Sequence, residues 1–207
     1  DYGKSVYFNE QALDIIEDIR SNISRDEFKA HYMARERYAF EDVITLLGDL
    51  NEIKPGEGYD IKAFELAEKC KARALLDLLA AQDVENTNDI KKGETLLKDV
   101  KNICLDNNTC LVEYLTGDSC SWAWLITLED QFLFKLLPAD TIKEQVELLR
   151  FALDRPGNDN IGYFIESGRT LYEMLIGPLQ NQINKFDNLI IVPDGILNYL
   201  PFEVLIA

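Results

Sequence analysis

Histidine occurs once in these 207 residues, at His31, and cysteine four times, at Cys70, Cys104, Cys110 and Cys120. The cysteines form no CxxC pair and the histidine is remote from them in sequence, so no zinc centre is expected and no metal or cofactor is assigned. Nucleophilic catalysis needs a thiol or hydroxyl held within hydrogen-bond reach of a base. His31 lies inside a helical stretch between Ala30 and Tyr32, where Cys70 could face it from a neighbouring helix, but no glycine-rich oxyanion turn adjoins either residue. Ordinary structural roles are expected for both. The spacing of Cys104 and Cys110 leaves a disulfide open. With no secretory segment in view, reduced and buried thiols are the default, and a cytoplasmic location is expected.

Basic residues are scarce too. Lysine and arginine number 21 against 37 aspartates and glutamates, a net charge of −16. Such a chain repels phosphate backbones and anionic lipid, so nucleic acid and membrane are poor direct partners, and another protein, as partner or substrate, is expected. No run of five or more like charges forms an acidic tail. The longest apolar run, 120–128, contains a serine and is far too short to span a bilayer. Pro55-Gly56-Glu57-Gly58 is the nearest approach to a phosphate loop, yet no lysine follows it and no buried strand precedes it. Trp122 and Trp124 alternate on one predicted strand with no basic interleaving, which predicts core rather than a base-stacking platform.

What is present is a folding composition, 47% hydrophobic and 10% aromatic. Phe8, Ala12, Ile15, Ile19 and Ile23 recur at helical spacing and predict one buried face. Ser24-Arg25-Asp26-Glu27 fits a capping box opening a second helix, whose expected buried stripe is Phe28, Tyr32, Ala39, Val43, Leu46 and Leu50. Lys54-Pro55-Gly56-Glu57-Gly58 ends it, since proline cannot continue the ladder. A third helix over about 60–82 carries Ala63, Ala67, Cys70 and Ala74, a small-residue seam that lets a neighbour approach closely. Such helix pairs are the physical content of tetratricopeptide-type repeats, and one and a half repeats are too few to stand alone.

Residues 83–93 are polar and read as a linker, followed by a short helix over 94–104. The period then becomes strand-like. Strands are predicted over 109–116 and 121–128, joined at Gly117-Asp118-Ser119, with a third over 131–137 entered through Glu129-Asp130. Ile142, Val146, Leu149 and Leu153 mark an amphipathic helix, 155–160 a surface loop, and 161–186 a helix interrupted near Gly177-Pro178. Leu189-Ile190-Ile191-Val192 has no polar member, as in a parallel strand covered on both faces. Val192-Pro193-Asp194-Gly195 then supplies turn chemistry. Asp194 is the most tempting of the carboxylates, because α/β proteins place ligands at the ends of buried strands; aspartate is equally favoured there by the turn itself.

Val192-Pro193-Asp194-Gly195 and Leu200-Pro201-Phe202-Glu203 together resemble the strand–turn–strand signature of CHAT domains, caspase-like domains often attached to tetratricopeptide repeats. Lys71-Ala72-Arg73-Ala74-Leu75-Leu76-Asp77-Leu78-Leu79 resembles the last helix before such a domain. Leu111-Val112-Glu113-Tyr114 with Trp122 to Thr127 resembles its opening hairpin, and Leu171-Tyr172-Glu173-Met174-Leu175-Ile176-Gly177-Pro178-Leu179 the helix before the buried strand. The resemblance implies a fold related to caspases and separase, and a cysteine peptidase with a His–Cys dyad. In that family the histidine follows a later strand and the cysteine a later one still, so both would lie beyond Ala207. No position here inherits a catalytic role.

The fold class expected is therefore a helical, repeat-like N-terminal part followed by an incomplete α/β caspase-like domain that opens with an antiparallel meander. The expected boundaries are 1–82 for the tetratricopeptide-like helices, 83–93 for the linker and 94–207 for the domain. The chain opens at Asp1 without an initiator methionine and closes on Val204-Leu205-Ile206-Ala207 within an apolar run, so a piece of a longer protein is expected. The alternative is a non-catalytic interaction module or pseudo-peptidase.

Overall fold

A computed structural model of the chain describes residues 2–23, 26–81, 97–155, 157 and 160–206. The chain divides into two compact units, Asp1–Val100 and Lys101–Ala207.

The first unit is helical: α1 (Tyr2–Asn22), α2 (Asp26–Ile53) and α3 (Tyr59–Ala81), with α4 (Leu97–Cys104) running across the division into the second. Between α2 and α3 the chain reverses at Gly56 and Gly58, whose φ of 84° and 81° are left-handed values that glycine adopts without a Cβ clash. The two helices pack as a hairpin. Phe40, Val43, Ile44, Leu47 and Leu50 of α2 are buried, as are Ala63, Phe64, Ala67 and Cys70 of α3. The small-residue seam is thus present over its described part; the Ala74 side chain lies outside the described residues.

Two expectations about this unit fail. On α1 the buried positions are Val6 and Leu13, whereas Phe8, Ile15 and Ile19 are 67%, 60% and 47% exposed. The strongest apolar periodicity marks the face turned away from α2. On α2, Phe28 is exposed and the buried set includes Phe40, Ile44 and Leu47 beside the expected Val43 and Leu50. The reason is that α2 packs on both α1 and α3, and a helix between two neighbours buries more than one stripe. The capping-box residues Ser24 and Arg25, and the linker 83–93, lie outside the described residues.

The second unit is built on a four-stranded mixed sheet in the order β3-β2-β1-β4. β1 (Thr109–Leu115), β2 (Ser121–Ile126) and β3 (Gln131–Leu136) form the antiparallel meander, with Val112 opposite Leu125 and Leu125 opposite Phe132. The turn into β3 is closed by Thr127, whose hydroxyl accepts from Asp130 N at 2.8 Å while its amide donates to Asp130 O at 2.9 Å. β4 (Asn188–Val192) lies parallel to β1, Leu111 opposite Ile190. The connection to β4 carries α5 (Ala139–Asp154), α6 (Ile161–Leu175), a 3-10 turn at Gly177–Leu179 and α7 (Gln180–Ile183). Pro178 lacks the N–H that would continue α6.

Cys110, Val112, Tyr114, Ala123, Leu125 and Leu136 on one sheet face meet Ile142, Val146 and Leu149 of α5 and Leu171 and Leu175 of α6 in one apolar cluster. Fully burying a side chain of this size is worth about 1.5–3 kcal/mol, so this layer contributes strongly to the unit's stability. The Tyr114 hydroxyl reaches through the layer to donate to Leu175 O at 3.0 Å. The α5 stripe ends at Ala152 rather than Leu153, which is exposed: the last step of the apolar repeat is three residues, not four. The opposite sheet face is also buried along β1 and β2, and Trp122 and Trp124 lie there.

Two further corrections concern the C-terminal part. β4 is parallel as expected, but it is the outer strand of the described sheet, and Leu189 and Ile190 are exposed rather than covered on both faces. On the helical face Ile191 packs against the core, while Leu189 is exposed. Among the described residues no second strand follows β4: the chain folds into 3-10 helices at Gly195–Tyr199 and Phe202–Val204. Pro193 and Pro201 cannot donate to a ladder, and the turns close locally, Leu197 N to Asp194 O at 3.0 Å and Leu205 N to Phe202 O at 3.2 Å.

Candidate functional site

β1 and β4 are parallel, so their carboxyl ends lie side by side, the place where α/β sheets gather functional groups. The meander puts the start of β2 and the end of β3 at that same end. Here Asp194 is buried, as is Thr116 just after β1. One carboxylate oxygen, Asp194 Oδ2, accepts from Thr116 N at 2.9 Å and from Thr116 Oγ1 at 2.8 Å, a contact across 78 residues of chain. Bonds to a charged acceptor are worth about 1.5–3 kcal/mol each, so the pair ties the turn after β4 to the end of β1.

Gly195 is required beside this latch for two reasons. Its φ is +54°, and a Cβ placed on it would sit 2.5 Å from Thr116 Oγ1. A side chain here would push aside the hydroxyl that Asp194 holds. The 3-10 helix that follows is fastened by Asn198 Nδ2 donating to Gly195 O at 3.0 Å, and it buries Leu197. Leu200 is buried next, and Phe202 stacks on Tyr114 with ring centroids 5.8 Å apart and planes 27° from parallel. The tail then runs along α6 in contact with Gly168, where a Cβ would lie 3.4 Å from Val204 O. Ile206 N donates to Gly168 O at 3.4 Å. The Val-Pro-Asp-Gly and Leu-Pro-Phe-Glu elements are therefore the two halves of one clamp on the end of the sheet.

Between the β1–β2 turn, the end of β3 and the last turns of α6 lies an open groove of about 550 Å³. Cys120, Leu136, Pro138 and Met174 line it, with Thr170 and Glu173 along the α6 side.

The thiols do not assemble into a centre. Cys70, Cys110 and Cys120 are buried and reduced, so Cys110 is not joined to Cys104. Burial pushes the Cys110 thiol up, which makes it a poorer nucleophile at neutral pH. The His31 and Cys104 side chains lie outside the described residues. Among the described residues no group of three or more histidines, cysteines, aspartates or glutamates could hold a metal ion. Asp194 is neither a ligand poised for solvent nor only a turn former; it is committed to Thr116. Thr116 and Gly168 had no signal in the sequence, because each acts through a residue far along the chain.

Residues 166–207 match the family described as CHAT domain. That stretch contains most of α6, β4 and both 3-10 helices, hence the whole clamp. No curated protein and no solved structure matches the chain. No helix among the described residues is long and apolar enough to cross a membrane.

Proposed function

We propose that this chain is part of a caspase-like cysteine peptidase of the tetratricopeptide–CHAT type, supplying the helices and the opening part of the CHAT domain. The match over the clamp carries this reading. The sequence following Ala207 supplies the histidine and the cysteine. There the thiolate adds to the scissile carbonyl, the histidine passes a proton to the leaving amine, and water then releases the acyl group. The contribution of the present residues is a rigid footing. The latch fixes the carboxyl ends of β1 and β4, and β4 offers its outer edge to the next strand of the sheet. The helices of the first unit bind a regulator or partner protein.

Peptidase activity of the protein including the following sequence provides the test, measured with all four cysteines, Cys70, Cys104, Cys110 and Cys120, replaced by alanine. Activity should survive within a few fold if the variant is folded. Loss of turnover in a folded variant, with recovery on restoring one of the four, would place the nucleophile in this chain and overturn the reading. A second reading, a non-catalytic scaffold, draws support from the clamp itself, whose signature residues hold structure and perform no chemistry. It predicts no turnover in any form of the protein.

A further inference from the structure

β3 and the groove at its end share one unexplained geometry. Among the described residues β3 pairs with β2 alone, and Gln131–Phe134 are half-buried where every residue of β1 and β2 is buried. An outer strand presents main-chain N–H and C=O groups along its free side, a template for one more strand. The groove opens where this edge runs out, at Leu136 and Pro138, and its floor is apolar, with Met174 facing them from α6. Extended peptides are held in this way elsewhere: main-chain bonds to a sheet edge give affinity, and a pocket for one side chain gives selectivity.

Charge chooses the peptide. Lys135 also borders the groove, but its ammonium lies 5.5 Å from the centre of the Trp122 ring, on the sheet face opposite Leu136. That leaves Glu173, exposed on α6, as the acidic side chain on the groove's helical wall. The chain's net charge of −16 reinforces its sign. We propose that the β3 edge and this groove bind an extended segment of a partner protein, with an aliphatic side chain seated against Leu136 and Met174 and a lysine or arginine two residues along, on the same face, at Glu173. The inference goes beyond the peptidase reading and stands without it, because binding is read with no cleavage.

The test is fluorescence anisotropy on the full chain at low salt, with a labelled hexapeptide Thr-Leu-Val-Arg-Val-Thr as probe, whose leucine and arginine share one face when extended. Saturable binding is expected. Glu173→Lys, a change at an exposed position, should weaken it about fivefold, the upper range for one exposed ion pair. N-methylation of alternate peptide amides should weaken it about tenfold or more, through lost main-chain bonds. Replacing the peptide leucine by glycine should do the same through lost burial. Absence of saturable binding, or binding indifferent to both Glu173→Lys and N-methylation, overturns the proposal. So does a chain that self-associates through this edge and is dissociated by Glu173→Lys, since the occupant is then a second copy.

Discussion

Asp194→Ala tests the latch most sharply. The substitution removes the acceptor of two hydrogen bonds and leaves Thr116 N and Oγ1 facing a small void at a buried position. A buried donor left without its partner costs about 1–3 kcal/mol, so two such donors bring a loss of about 3–4 kcal/mol, allowing some relief from entering water. Thr116→Val keeps the shape and the main-chain bond and removes only the hydroxyl donor, for about 1–1.5 kcal/mol. Because both act on one carboxylate oxygen, the double variant should be less destabilised than the sum, with a coupling of about 1 kcal/mol. The assay is urea unfolding of the full chain followed by tryptophan fluorescence. The two tryptophans, Trp122 and Trp124, both lie on β2, so the signal reports the second unit alone. A loss below about 0.5 kcal/mol for Asp194→Ala, the range of an inert surface change, would refute the latch. So would strict additivity with Thr116→Val.

Three other outcomes follow from the same geometry. Gly195→Ala, with its Cβ driven against Thr116 Oγ1 and a left-handed backbone, should destabilise the second unit by about 2 kcal/mol or more, and Thr116→Ala should recover only the steric part. Ile190→Lys, on the exposed β4 edge, should change stability by less than about 1 kcal/mol yet suppress concentration-dependent association in sedimentation runs; a chain monomeric at every concentration would contradict the open edge. Burial pushes the Tyr114 phenol well above its ordinary value of 10.0, so the unfolded chain releases this proton first. The stability it contributes is complete below pH 10.0 and declines as pH rises past that value, and Tyr114→Phe should flatten this alkaline decline in pH-dependent unfolding.

Local chemistry was legible where the physics is local. The meander, the α6 break at Gly177-Pro178 and the small-residue seam of α3 follow from period, turn residues and proline geometry, and they stand where the sequence puts them. What failed depended on neighbours. Phe8, Ile15 and Ile19 make a clean helical stripe, but nothing in their spacing says which face of α1 meets α2. Leu189-Ile190-Ile191-Val192 is uncharged enough for a central strand, and only its pairing with β1 alone reveals an outer one. The signature after β4 lies where the sequence puts it, yet its second half is a 3-10 clamp rather than a strand, and Phe202 stacks on Tyr114. Asp194 stands out in the sequence only by its place at the end of a strand. Its actual partner, Thr116, is 78 residues away and invisible to any local pattern.

The proposed function places the nucleophile outside these residues. Labelling with an electrophilic peptide ketone, read by mass mapping on the protein that includes the sequence after Ala207, tests it directly. The account predicts one labelled cysteine beyond residue 207 and none at Cys70, Cys104, Cys110 or Cys120, three of which are buried. A label on any of those four in the folded protein would contradict it.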